Sequence, residues 1–313
     1  MIIQPCRFLK TDHISSVCAL LFISFALQGC GTAQLKPWHT EKLNEEFTEK
    51  RSEEVATFAD YLELEDRLFR QLDDKVYATS ETGPGHAIDR YSAGSAADPR
   101  DWKPDWNRSF ELSAHKPRGA ILLLHGMSDS PYSLRSLGEV LNKKNYWVLG
   151  LRMPGHGTAP SGLRHISRQD MAAVVRLGMR HLGGMMNGKP IHMIGYSTGA
   201  PLAIEFTLDA LEGSTAPVPA SLVLISPALG VHSTAAVAGV KNSMGNLPGL
   251  GSLSYLQVQP EFDPYKYNSF ATNAADVVHK LTRSVASRTQ SRARSNPDFV
   301  LPPVLVFKST VDA

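Results

Sequence analysis

The stretch that decides the fold is "IHMIGYSTGA", residues 191–200. Its first half is an apolar run of the kind that forms a buried strand, and the apolar spacing beyond it is helical. Between the two stands the pattern G-x-S-x-G, with Ser197 at its centre and Gly195 and Gly199 on either side. Such a pattern between a strand and a helix is typical of a sharp turn that holds a nucleophilic serine in a strained conformation. A purely structural glycine-rich turn is the alternative.

Apolar runs alternate with helical patterns on both sides of this turn. The alternation predicts an α/β fold, with a mostly parallel sheet and helices on both faces. The predicted strands are "SFELSA", "GAILLLHG", "YWVLGLRMPG", "PIHMIG", "SLVLIS" and "PPVLVF". The predicted helices between them are "YSLRSLGEVLNKK", "RQDMAAVVRLGMRHL" and "TGAPLAIEFTLDALEG".

The alternation stops for a long interval before the last strand. Residues 228–301 are first small and turn-rich, then basic in "SRTQSRARS". This interval is too long for a plain loop in a compact domain, so we expect an insertion with its own structure. An insertion after a strand lies over the carboxyl edge of the sheet, where open parallel sheets bind their ligands. We therefore predict a cap over the site.

A second motif, "LLLHGMSDS", places a tight turn directly after a strand. The pair His125 and Gly126 closes this turn and can direct the backbone N–H of Met127 at the site, together with the N–H of Thr198. Two such amides form an oxyanion hole, which is worth about 3 kcal/mol per donor in acyl transfer. We predict that His125 braces the turn and transfers no proton.

Composition excludes several other kinds of site. A formal net charge of +2 without a long basic run argues against nucleic acid. No H-E-x-x-H motif or cysteine cluster suggests a metal, and no cofactor is predicted. The run "GGMMNGKP" has the glycine spacing of a phosphate-binding loop, but Pro190 replaces the hydroxyl residue that would bind Mg²⁺.

The first 29 residues have the composition of an export signal. Arg7 and Lys10 precede "ISSVCALLFISFAL", an apolar stretch that is short for a transmembrane helix. Residues 30–108 are predicted to be a tether, an acidic amphipathic helix over 41–76 and an irregular connection with a possible first edge strand. Glu65 interrupts the apolar stripe of that helix. We expect the helix to pack on the main domain, 109–313, with a protein partner as the alternative.

Four motifs together resemble the α/β-hydrolase superfamily: "HGMSDS", "RMPGHGTAPSG", "GYSTG" and "STVD". They are most similar to the branch of monoacylglycerol lipases, lysophospholipases and related esterases, over the chain from Phe110 onward. The resemblance implies that Ser197 is the nucleophile, that Met127 and Thr198 donate to the oxyanion, and that Asp312 is the acid. It implies that His156 belongs to a structural loop. His125, Gly126, Gly195 and Gly199 then support the two turns.

The same resemblance raises a question about the catalytic base. In this family the base is a histidine that follows the acid in the chain. All eleven histidines of this sequence precede Asp312, and His232 and His279 lie in the predicted cap. We therefore expect the chain to be truncated at its carboxyl end, without the strand and histidine that complete the triad.

The end of the export signal, "LQGC", resembles the lipobox of bacterial lipoproteins. The resemblance implies cleavage before Cys30 and attachment of lipid to its sulfur. Cys30 would be the only cysteine of the mature chain, so no internal disulfide is expected. Gly31 at the next position implies sorting to the outer membrane, facing the periplasm.

Taken together, these patterns predict a lipid-anchored serine hydrolase of the cell envelope. Its expected substrates are carboxylic esters of lipids or small molecules. Two alternatives remain open from the residues: a lipoprotein that keeps the fold only to bind a lipid or partner, and a peptidase of the same fold.

Overall fold

A twisted sheet flanked by helices forms the centre of the molecule. The computed structural model describes residues 34–214, 216–230 and 251–309. The chain divides between Gln34 and Leu35, and all but one of the described residues belong to the second unit. Three predicted features therefore lie outside the described residues: the export signal with Cys30, part of the cap at 231–250, and Asp312.

Six strands form the central sheet in the order β1-β3-β2-β4-β5-β8. All neighbours are parallel except β1, which runs antiparallel to β3. The mostly parallel sheet predicted from the alternating runs is thus confirmed. The strands are β1 Phe110–Leu112, β2 Ala120–Leu124, β3 Trp147–Leu151, β4 Ile191–Tyr196, β5 Ser221–Ile225 and β8 Val304–Phe307, while β6 Tyr255–Gln257 and β7 Phe270–Ala271 form a small separate pair.

Helices cover both faces of the sheet, because successive side chains of β2 point to opposite sides. Leu122 and Leu124 belong to the main core, and Ile121 and Leu123 belong to a second cluster on the other face. The helices are α1 Pro37–Thr40, α2 Phe58–Lys75, α3 Arg135–Lys143, α4 Arg168–Met186, α5 Gly199–Leu211 and α6 Thr272–Ser295. The second cluster contacts α3, and the main core contacts α2, α4, α5 and α6.

The acidic helix predicted over 41–76 is shorter than expected. It begins at Phe58 because the Thr57 side chain accepts a hydrogen bond from the Asp60 N–H, and Asp60 caps the Thr57 N–H in return. Residues 41–57 are mostly irregular, with one 3₁₀ turn at Glu49–Arg51. The apolar stripe predicted for this segment is confirmed except at one position: Leu62 is 37% exposed, whereas Tyr61 next to it is fully buried. The buried members of the stripe are Val55, Phe58, Phe69, Leu72 and Val76.

The sequence suggested that Glu65 would interrupt the packing of α2. The structure shows that it does not. It is 2% exposed and accepts a hydrogen bond from Arg152, which is fully buried at the end of β3. Arg152 also binds Glu46 and the carbonyl of His156. The Tyr61 hydroxyl donates to the carbonyl of Arg152. Buried charges therefore join the extension to the hydrolase domain.

Residues 77–108 form turns rather than the edge strand that the sequence allowed. Three short 3₁₀ turns, Tyr77–Thr79, Pro84–His86 and Pro99–Asp101, are the regular elements of this segment. Arg90 is buried within it and donates to the carbonyl of Gly157 and to the side chain of Asn107. Polar groups, and not a strand ladder, hold this irregular connection in place.

Part of the predicted cap belongs to the helical layer instead. In α6, Val277, Leu281 and Val285 are buried in the main core, and α6 packs against α5 and α4. The basic run "SRTQSRARS" is the end of this helix. The described part of the cap is therefore residues 228–230 and 251–271. Within the described ranges, no helix combines the length and apolar character needed to cross a membrane.

Candidate active site

Ser197 lies in the sharp turn between β4 and α5. Its φ is +51°, and its N–H donates to the carbonyl of Ile225 at 2.9 Å. The turn closes this tightly only because its neighbours have no side chain. A Cβ on Gly195 would lie 2.6 Å from the Cα of Ala200, and one on Gly199 would lie 2.9 Å from the carbonyl oxygen of His125. This is the strained conformation that the motif predicts.

The turn after β2 packs directly against this serine. A Cβ on Gly126 would lie 3.1 Å from the Cβ of Ser197 and 2.8 Å from a carboxylate oxygen of Asp129. A side chain at this position would displace the Asp129 carboxylate and press against Ser197, so glycine is the residue that fits here. The structure thus brings the two predicted motifs together at the carboxyl edge of neighbouring parallel strands.

Two backbone amides in these turns are available to a ligand. Neither the N–H of Met127 nor that of Thr198 donates a hydrogen bond to another described residue. Thr198 is also the N-cap of α5, where the helix dipole favours negative charge. Both amides belong to the turns that meet at Ser197, which is the arrangement that the oxyanion prediction requires.

Both ring nitrogens of His125 form hydrogen bonds that stabilise the turn after β2. Its Nδ1 lies 2.9 Å from the carbonyl oxygen of Gly126, and its Nε2 accepts from the N–H of Met153 at 3.0 Å. Burial, together with the neighbouring His156, holds the pKa of His125 well below its usual value, so the ring is neutral. With both nitrogens engaged, this ring has no position free for proton transfer.

His156 lies against His125 with ring centroids 5.0 Å apart. Its Nδ1 bonds to the carbonyl of Pro154 at 2.9 Å, and burial lowers its pKa to about 4. Its Nε2 is buried and has no partner among the described residues. No histidine that the structure describes forms a hydrogen bond with Ser197, and His279 lies on α6 beside a groove lined by Arg168.

The cap contacts the turn after β2, residues 125–129, whose Met127 is the predicted oxyanion donor. The sequence did not reveal this contact. The N–H of Tyr267 donates to the carbonyl of Ser128 at 2.9 Å. Tyr265 stacks on Tyr132, with ring centroids 3.8 Å apart and an interplanar angle of 9°. Asp129 was part of the quoted "HGMSDS" motif, but its partner in the cap is more than 130 residues away in sequence.

Asp129 places a buried carboxyl group beside the oxyanion turn. Its side chain is mostly buried, and the Lys266 Nζ of the cap lies 3.8 Å from Oδ1. Burial raises the pKa of Asp129, while Lys266 opposes that rise. A polar group therefore faces the region next to the nucleophile.

The strand that leads toward Asp312 ends at the same edge of the sheet. The N–H of Ser226 donates to the carbonyl of Phe307 at 2.7 Å. The carbonyl of the preceding residue, Ile225, accepts the hydrogen bond from the Ser197 N–H. Asp312 and His232 lie outside the described residues. In the part of the chain that the structure describes, no group of three or more His, Cys, Asp or Glu could bind a metal.

Residues 115–295 match the Hydrolase_4 family, described as serine aminopeptidase, S33. The match covers more than half of the chain. The chain belongs to this family. It is therefore a serine hydrolase of the α/β-hydrolase fold. The sheet order, the sharp turn at Ser197 between β4 and α5, and the turn at Gly126 are consistent with this fold.

Two curated relatives match a similar region. A thermostable monoacylglycerol lipase of Bacillus sp. (strain H-257) is 25% identical over 193 residues, which cover 61% of this chain and 70% of the relative. A carboxylesterase of Bacillus subtilis (strain 168) is 23% identical over 193 residues, which cover 62% of this chain and 72% of the relative. A solved structure from a study of the metagenome-derived lipolytic enzymes LipS and LipT has a TM-score of 0.49 and 22% identity, covering 66% of this chain and 76% of that one.

Proposed function

We propose that this Hydrolase_4 member cleaves carboxylic esters with an apolar acyl part, by means of Ser197. The observation that carries the proposal is the serine at φ +51° in a turn packed against Gly126. The names of the two curated relatives, a monoacylglycerol lipase and a carboxylesterase, favour esters over other acyl substrates.

The proposed reaction begins with attack of the Ser197 Oγ on the ester carbonyl. The oxygen of the tetrahedral intermediate accepts hydrogen bonds from the N–H groups of Met127 and Thr198, neither of which donates to a described residue. Loss of the alcohol leaves an acyl-serine, which water then hydrolyses. His125 holds the oxyanion turn throughout, since its two nitrogens are engaged in that turn and in the loop after β3.

The general base must take the Ser197 proton and return it to the leaving alcohol. We propose that Asp312 orients a histidine in this role, in the family order Ser, Asp, His. Support comes from the carboxyl end of β8, where the carbonyl of Phe307 accepts a hydrogen bond from the N–H of Ser226, close to the turn that holds Ser197. The base itself is proposed to lie outside the described residues, because no described histidine forms a hydrogen bond with Ser197 and both ring nitrogens of His125 are engaged elsewhere.

A fluorophosphonate probe tests the assignment of the nucleophile. We expect the protein to be labelled when its catalytic base is present, and we expect Ser197→Ala to abolish that labelling, because the probe reacts only with an activated serine. Ser214→Ala, at an exposed serine outside the site, is the matched control and retains full labelling. Undiminished labelling of Ser197→Ala would exclude this nucleophile.

A peptidase is the second candidate, because the matching family is described as a serine aminopeptidase. The same nucleophile and oxyanion donors act on amides, so the choice depends on the pocket. Hydrolysis of p-nitrophenyl butyrate should exceed that of amino-acid p-nitroanilides. The opposite ranking would assign the chain to the peptidases.

We also propose that the protein is a lipid-anchored component of the bacterial envelope, facing the periplasm from the outer membrane. The lipobox-like "LQGC" and the single cysteine left after cleavage support this. Labelled palmitate should enter the protein and should be lost in Cys30→Ala. A wild-type protein that takes up no palmitate would contradict the anchor.

A further inference from the structure

A cavity separates the extension from the loop that follows β3. Its volume is about 300 Å³, near the lower limit for a small-molecule site. Leu43 and Phe47 line it from the extension, and Ile166 lines it from the hydrolase domain. The pocket is mainly apolar and includes none of the residues assigned to the active site.

The polar groups of the cavity wall fall into two classes. The carboxylates of Glu46 and Asp170 are already used: Glu46 binds Arg152, and Asp170 accepts from the N–H of Glu49 at 2.7 Å. Arg51 is paired with Glu54 at 2.8 Å. None of these groups requires a ligand to satisfy it.

Two further polar groups of the wall, Ser161 and Lys42, are placed to bind a ligand. The Oγ of Ser161 is buried without a hydrogen bond, and the residue is 2% exposed. The Nζ of Lys42, at the exposed side of the cavity, forms no hydrogen bond or ion pair with a described residue. An unsatisfied buried hydroxyl is costly, so an occupant that bonds to it would stabilise the site.

We propose that this cavity binds a short- to medium-chain monocarboxylate. The apolar walls take the alkyl chain, the carboxylate pairs with Lys42, and Ser161 Oγ donates to a carboxylate oxygen. An anionic head is favoured because the two acidic groups of the wall are engaged, whereas the Lys42 ammonium has no partner among the described residues. The site is separate from the ester site, and its occupancy does not depend on the identity of the nucleophile.

Calorimetric titration of the full chain with octanoate tests the proposal. Wild-type protein should bind octanoate, and Lys42→Gln and Ser161→Ala should each weaken binding about threefold to tenfold, within the range for the net contribution of one typical hydrogen bond. Lys50→Gln, at an exposed lysine that does not line the cavity, is the matched control and leaves binding unchanged. Octan-1-ol, which lacks the charge, should bind both wild type and Lys42→Gln equally.

Two results would overturn the proposal. One is octanoate binding of equal strength in wild type, Lys42→Gln and Ser161→Ala, which would place the ligand elsewhere. The other is no binding at millimolar octanoate. Equal melting temperatures of all four proteins show that a change in affinity does not arise from unfolding.

Discussion

Charged side chains are buried on one side of the molecule, and apolar side chains are exposed on another. Beside the extension, Arg152 is fully buried and Glu65 is 2% exposed, so charges occupy the interior. At the other edge of the sheet, the four apolar residues of β8 are 43–54% exposed. The comparison shows that polarity alone does not decide burial: charged side chains are tolerated inside where they pair and hydrogen-bond with one another, as Arg152 does with Glu65 and Glu46.

The largest expected effect comes from breaking the buried charge cluster. Arg152→Met leaves Glu65 and Glu46 without their common partner, so the free energy of unfolding should fall by about 3–5 kcal/mol. Urea unfolding measures it. Arg180→Met, at an exposed arginine, should change stability by less than about 0.5 kcal/mol. A loss below about 1 kcal/mol for Arg152→Met would mean that the cluster contributes little.

Matched leucines test the two strands directly. Leu122 of β2 is fully buried, and Leu122→Ala should lower the free energy of unfolding by about 2–5 kcal/mol. Leu305 of β8 is 53% exposed, and the same substitution there should lower it by less than about 1 kcal/mol. Equal losses in urea unfolding would show that β8 is covered in the folded protein.

Acid should lower the free energy of unfolding of the protein through protonation of His39. Burial, reinforced by Arg164, lowers the pKa of His39 from 6.5 to about 4. The unfolded chain therefore binds this proton at a higher pH than the folded one, so stability is complete above pH 6.5 and falls as the pH drops toward 4. The loss should be about 3 kcal/mol.

His39→Gln isolates this contribution, since the other buried histidines remain in both proteins. The free energy of unfolding of the variant should fall less steeply below pH 6.5 than that of the wild type. Parallel curves for the two proteins would exclude His39 as the origin of the acid sensitivity.

The smallest effect is expected at the start of α2. Thr57→Ala removes the acceptor for the Asp60 N–H and should lower the free energy of unfolding by about 1 kcal/mol. Thr57→Ser keeps the hydroxyl and should be nearly neutral. Equal destabilisation by both variants would show that the methyl group, and not the cap, matters.

The central strands and both turns of the candidate site could be predicted because their signals are local. "GYSTG" and "LLLHGM" each carry their own strand, turn and glycines, so a short stretch determines the geometry around Ser197 and Gly126. The main helices likewise follow from the periodicity of their own residues, with Thr57 as a capping signal that was overlooked.

Long-range pairings were not predictable in this way. Glu65 reads as a break in an apolar stripe, because its partner Arg152 is 87 residues further along the chain. The strand β1 precedes β2 in sequence but pairs with β3, so proximity along the chain gives no guide to its neighbour. The contact of Tyr267 with Ser128 likewise joins distant segments.

That contact joins the cap to the turn that carries Met127. The Tyr267 N–H is bonded to Ser128, the residue directly after the proposed oxyanion donor Met127, and Ser128 itself has φ +66°. Any displacement of Tyr267 that breaks this bond would therefore also release a restraint on the turn that carries the Met127 amide.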